Sequence, residues 1–92
     1  MATRKYIARG RVQGVGFRYF ATRIAEAFDI TGWVRNTPGG DVEIVASGKR
    51  ENLDAFREQV GIGPGGARVD RVIVEELEEQ RFERFEVRRG EP

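Results

Sequence analysis

Apolar residues recur along this chain with two different periods, and the switches between them mark its elements. From residue 5 to 12 the period is two: Tyr6, Ala8 and Val12 share one face, with Gly10 between, while Arg9 and Arg11 share the other. That alternation predicts a strand. Past Gln13-Gly14-Val15-Gly16 the period lengthens, and Phe17, Phe20, Ala21, Ile24, Ala25 and Phe28 form one apolar stripe. At 3.6 residues per turn this is a helix of about three turns. Asp29 and Thr31-Gly32 close it. Residues 31–37 read as a second strand, Pro38-Gly39-Gly40-Asp41 as a turn, and Val42, Ile44 and Ala46, alternating with Glu43, Val45 and Ser47, as a third strand. A turn this short makes a hairpin the natural pairing. Lys49 to Val60 predicts a second helix on the stripe Leu53, Phe56 and Val60, and Gly61-Ile62-Gly63-Pro64-Gly65-Gly66 is expected to end it. Residues 67–77 alternate again. Glu75 to Glu79 reads as a charged, solvated connector, and Phe82 to Arg88 offers one more short strand with Phe85 and Val87 on one face.

The order is therefore β-α-β-β-α-β plus a short C-terminal strand. Helices with one apolar stripe and strands with one apolar face bury those surfaces most simply in two layers. The expected fold is α+β: a ferredoxin-like split β-α-β sandwich, an antiparallel sheet with both helices on one face. The whole chain, residues 1–92, reads as a single domain without repeats or an interdomain linker.

Composition narrows the chemistry more than the fold. The chain has no Cys, no His and one Ser, Ser47. A disulfide framework, a thiolate nucleophile and a Ser-His-Asp triad are excluded, together with the commonest general base and metal ligand. Sixteen basic residues stand against fifteen acidic ones, for a formal net charge of +1, which argues against a dedicated nucleic-acid binder. Fourteen of the sixteen are Arg. The first residues lead straight into the first strand without an apolar signal segment, and no run reaches the ~20 apolar residues of a membrane span. A cytoplasmic protein is the expectation. An enzyme built this way works with Arg, Asn, Tyr, Thr, carboxylates or backbone groups.

One segment suits anion chemistry. Gly10 to Arg18 joins the first strand to the first helix through Gly14 and Gly16. Glycines let the backbone turn tightly and expose its amides. The free N–H groups of a helix's first turn and the helix dipole favour an anion there by about 0.3–1 kcal/mol. Arg18, in that first turn, opposes the dipole, a misfit that a bound anion would explain. The spacing matches neither a Walker A loop, which needs Lys-Ser/Thr, nor the dinucleotide fingerprint, which needs a third Gly. On spacing alone, a plain glycine-rich turn with a surface Arg is the competing reading. Asn36, on the face of Val34 in the second strand, reads on its own as a residue ending a strand before Thr37-Pro38.

Taken together, Gly10-Arg-Val-Gln-Gly-Val-Gly-Phe-Arg-Tyr19 and Gly32-Trp-Val-Arg-Asn36 resemble the two signature motifs of the acylphosphatases. The similarity runs over nearly the whole chain, through Asp41 to Gly48, Leu53 with Phe56, Ala67 to Val72 and Phe82 to Arg88. The resemblance implies the same fold and hydrolysis of the carboxyl-phosphate bond of an acyl phosphate, with no metal and no organic cofactor. It implies that Arg18 binds phosphate, that Gln13, Gly14, Val15, Gly16, Phe17 and Arg18 present backbone N–H groups to the phosphoryl oxygens, and that Asn36 orients the attacking water. The partners it implies are a small-molecule acyl phosphate and the inorganic phosphate product, with no nucleic acid and no membrane, acting on a monomer. Two departures lie outside the motifs: no acidic residue precedes Gly39 in the hairpin, and the 63–66 loop is unusually rich in Gly. Alternatives are a non-catalytic phosphate-binding module on the same fold, and a stand-alone relative of the acylphosphatase-like domain of hydrogenase-maturation carbamoyltransferases. Base stacking on Tyr6 and Trp33 is a further option, one that no basic surplus accompanies.

Overall fold

The computed structural model describes residues 1–89. The elements run β1 (Ala2–Arg11), α1 (Phe17–Ala27), β2 (Thr31–Asn36), β3 (Val42–Gly48), α2 (Arg50–Ile62), β4 (Arg68–Leu77) and β5 (Phe85–Val87). One five-stranded sheet has the order β4-β1-β3-β2-β5. β1 lies between β3 and β4, with Tyr6 opposite Ile44 on one side and Val74 on the other. β2 and β3 form the expected hairpin, with Val34 opposite Ile44 and Asn36 opposite Val42.

The core forms where the two periods meet. Tyr6 and Ala8 of β1, Val34 of β2, and Val42, Ile44 and Ala46 of β3 turn one sheet face towards Phe17, Ala21 and Ala25 of α1 and Leu53, Phe56 and Val60 of α2, all of them buried. Phe56 is the hinge of an aromatic chain, edge-on to Tyr6 at 5.6 Å and to Phe85 at 6.3 Å between ring centres. Such pairs add about 0.5–1.5 kcal/mol beyond the area they bury. Tyr6 is fully buried and donates its hydroxyl to the Leu53 carbonyl at 3.2 Å, which removes it as a stacking platform for bases. On the opposite sheet face, the buried hydroxyls of Thr3 and Ser47 lie 2.6 Å apart and are tied to the backbone of Gln80.

Three local expectations change. The sheet is mixed, because β5 pairs with β2 in parallel, Val34 opposite Val87. α2 continues through Gly61 and Ile62 and stops at Gly63, whose φ is 75°. Packing of Val60 carries the helix past a glycine that propensity alone would use as its end. The acidic run is not all connector: residues 75–77 belong to β4, where Glu75 and Glu76 meet Lys5 and Arg4 of β1 at 3.5 and 3.1 Å. Cross-strand cations turn what reads as a solvated loop into a paired edge strand.

Candidate active site

The loop between β1 and α1 is shaped by two left-handed residues. Gly14 has φ 76° and Gly16 φ 80°. Side-chain-bearing residues reach that region only at a cost of about 1–2 kcal/mol, so glycine is the residue the turn needs at both places. Gly16 is also the N-cap of α1, and no side chain caps that end. The first turn of α1 holds no acidic residue. Among the described residues, no backbone carbonyl takes the N–H groups of Gly14, Val15 or Gly16. The loop therefore presents unsatisfied donors at the positive end of a helix dipole.

Gly14 and Gly16 border a cleft of about 450 Å³ lined also by Val12, Phe17, Arg18, Tyr19, Asn36, Val87 and Arg89. Of the residues singled out from sequence, Gly14, Gly16, Phe17, Arg18 and Asn36 line it together. Gln13 and Val15 do not. Val15 packs against the core. Gln13 turns its side chain away and donates from Nε2 to the carbonyls of Thr37 at 2.9 Å and Asp41 at 2.8 Å. Those two residues bound the β2–β3 turn, where the Thr37 N–H also meets the Asp41 carbonyl and the Asp41 N–H meets the Thr37 hydroxyl. Gln13 thus clamps the glycine loop to the hairpin whose first strand ends in Asn36.

Sequence reasoning passed over Tyr19, Val87 and Arg89. Tyr19 follows Arg18 on α1 and is 69% exposed, with the Arg23 guanidinium 6.0 Å from its ring centre. Val87 and Arg89 arrive from β5 and its continuation. The signal was present as alternation: Phe85, Val87 and Arg89 share a face at period two. It became legible only once β5 was placed beside β2.

The cleft is electropositive. Among the described residues, Arg18 and Arg89 are the charged ones that line it, and no carboxylate does. Among the described residues, neither guanidinium forms an ion pair. Among the same residues, five other arginines pair with carboxylates, among them Arg4 with Asp54 at 2.7 Å, Arg9 with Asp41 at 3.2 Å and Arg35 with Glu43 at 2.7 Å. The Arg4 guanidinium is held charged chiefly by its hydrogen bond to Asp54, far from the cleft. No group of three or more acidic side chains among the described residues could gather a cation. The arrangement can hold a small dianion between two guanidinium groups and a row of backbone amides, with one neutral amide side chain beside it.

Comparison with known proteins bears on that reading. The family model described as Acylphosphatase matches residues 4–87. The acylphosphatase of Cupriavidus metallidurans is 44% identical over 84 residues, 91% of this chain and 88% of the relative. The crystal structure of acylphosphatase from Bacillus subtilis superposes with a TM-score of 0.92 at 39% identity, covering 95% of this chain and 98% of the other. Full-length HypF, in a phosphate- and nucleotide-bound form, contains a similar segment: TM-score 0.88 at 29% identity, over 94% of this chain but 11% of that longer one.

Proposed function

Because the chain belongs to the acylphosphatase family, we propose that its cleft hydrolyses acyl phosphates to a carboxylate and inorganic phosphate, with Arg18 and the 13–18 loop holding the phosphoryl group and Asn36 orienting the water. The single observation that carries the residue roles is the meeting of Arg18, the uncapped start of α1 and Asn36 in one cleft.

The mechanism follows from what the cleft offers. Its amides and the Arg18 fork bind phosphoryl oxygens, the planar guanidinium offering two parallel N–H donors. Phosphoryl transfer runs with the attacking and leaving oxygens roughly in line through phosphorus. In this reading the Asn36 amide holds a water on the side opposite the acyl oxygen. The water oxygen bonds to phosphorus as the P–O(acyl) bond breaks. The acyl group leaves as a carboxylate, a leaving group stable enough to need no protein acid. The water's proton passes to a phosphoryl oxygen of the substrate, so no histidine is required. An acyl phosphate dianion and water thus yield a carboxylate and dihydrogen phosphate, with charge balanced. The protein contributes positioning and fixed positive charge. In this reading the protein acts on its small-molecule substrate as a monomer. A cytoplasmic setting goes with this class of small activated substrate.

The test is phosphate release from acetyl phosphate in the presence of a chelator. Wild-type protein should turn over. Arg18→Ala should lose at least about 10²-fold in kcat/KM, the usual loss for one transition-state donor. Asn36→Ala should lower kcat with a smaller effect on phosphate binding. Full activity in Arg18→Ala refutes the assignment, and a strict metal requirement overturns the mechanism. A wild-type protein that binds phosphate but never turns over favours the phosphate-binding module.

A further inference from the structure

β5 is three residues long, yet it brings the C-terminal part of the chain to the cleft, with Val87 from the strand and Arg89 just beyond it. Its parallel register with β2 sets Gly32 opposite Phe85, Trp33 opposite Glu86 and Val34 opposite Val87. The Arg88 N–H then donates to the Val34 carbonyl at 2.8 Å, so the pairing persists past the end of the strand. Carried two residues beyond Val87, the same register brings Arg89 abreast of Asn36, at the ~5 Å spacing of neighbouring strands. Alternation puts the two on one face. Phe85 is buried under the helices, Val87 and Arg89 line the cleft, and Arg88 turns to the other face, where its guanidinium lies 4.8 Å from the ring centre of Trp33.

We propose that Arg89 is a second phosphoryl-binding cation, acting beside Asn36 on the water side of the phosphorus. The inference rests on the acylphosphatase reading and deepens it. Charge matching supports it. A phosphoryl group of this kind carries close to two negative charges near neutral pH. Arg18 supplies one positive charge, no carboxylate among the described residues lines the cleft, and Arg89 supplies the other. Position supports it as well. With the water held at Asn36, a neighbouring guanidinium faces the equatorial oxygens that carry the transferring group's charge. The cleft is open to solvent and salt screens an exposed cation, so Arg89 contributes less than Arg18.

The experiment compares wild type, Arg89→Gln, Arg89→Lys and Arg88→Gln. Inorganic phosphate binding is measured by calorimetry, and kcat/KM by acetyl phosphate hydrolysis at low salt. For Arg89→Gln we expect phosphate affinity to weaken about fivefold and kcat/KM to fall about tenfold at an unchanged Tm. Arg89→Lys should recover part of both. Arg88→Gln, altered on the opposite face, should leave phosphate affinity unchanged. Raising the salt should narrow the gap between wild type and Arg89→Gln. Phosphate affinity within about twofold of wild type in Arg89→Gln overturns the inference, as does an activity loss that tracks a lowered Tm. Wild-type protein inert towards acetyl phosphate overturns the enzyme reading instead, and the calorimetric comparison still decides the role of Arg89.

Discussion

Removing the Gln13 side chain should loosen the cleft without touching a single atom that lines it. Gln13→Ala deletes two short hydrogen bonds, to Thr37 O at 2.9 Å and Asp41 O at 2.8 Å. Neither carbonyl is orphaned, because Thr37 O keeps the Gly40 N–H at 3.2 Å and Asp41 O keeps the Thr37 N–H at 2.9 Å. The loss therefore stays near the net value of about 1 kcal/mol per bond, close to 2 kcal/mol in all, without a buried-acceptor penalty. For a domain of this size, each kcal/mol lowers Tm by about 4–8 °C, so a fall of roughly 10 °C is expected. Activity should fall further than stability implies, because the clamp fixes the loop of Arg18 against the strand end of Asn36. A displacement of that pair of a fraction of an ångström should cost about tenfold in kcat. Gln13→Glu should be worse than Ala at neutral pH: an ionised carboxylate only accepts, and it would face two carbonyl oxygens. Its deficit should shrink as the pH falls and the side chain regains a proton to donate. Thermal unfolding followed by circular dichroism, with steady-state hydrolysis below the transition, measures both effects. A Gln13→Ala protein with Tm within about 2 °C and kcat within about twofold of wild type would refute the clamp.

Other expectations concern the loop and the two sheet faces. Gly16→Ala meets no neighbour within 4 Å, so its cost is the left-handed backbone alone, about 1–2 kcal/mol, with reduced phosphate affinity as the turn shifts; calorimetry with phosphate checks it. Burial raises the Tyr6 pKa above its ordinary value of 10.0. The folded state then holds the phenolic proton more tightly than the unfolded state, so this contribution is complete below pH 10 and is lost as the pH rises beyond it. Tyr6→Phe should flatten the alkaline fall in Tm while losing about 1 kcal/mol at neutral pH with the Leu53 hydrogen bond; a melting series across the alkaline range measures both. Ser47→Ala removes the Thr3 hydroxyl's 2.6 Å partner and the bond to Gln80 O, and should lower stability by about 1–3 kcal/mol in denaturant unfolding with kcat unchanged.

Much of the molecule follows from local pattern. The switch from period two to period 3.6 at Phe17 marks β1 and α1 within a few residues, and the alternation through Val42, Ile44 and Ala46 marks both β3 and its buried face. The glycines of the 13–18 loop and the position of Arg18 after them already describe an anion site, because backbone reach and helix polarity are properties of neighbouring residues. The three-dimensional structure decided what depends on distant partners. Nothing local tells β5 to run parallel to β2, since that pairing joins segments separated by two strands and a helix. Propensity near Gly61 points to an ending that the packing of Val60 overrides. Gln13 reads as one more loop residue until the hairpin folds back against it and accepts its two hydrogen bonds. Arg89 is one arginine among fourteen in the sequence, and only the placing of β5 beside β2 brings it into the cleft that Asn36 lines. Local residues determine the kind of site this chain can build. The long-range strand pairings determine which side chains complete it, because no short stretch of sequence encodes its neighbour across the sheet.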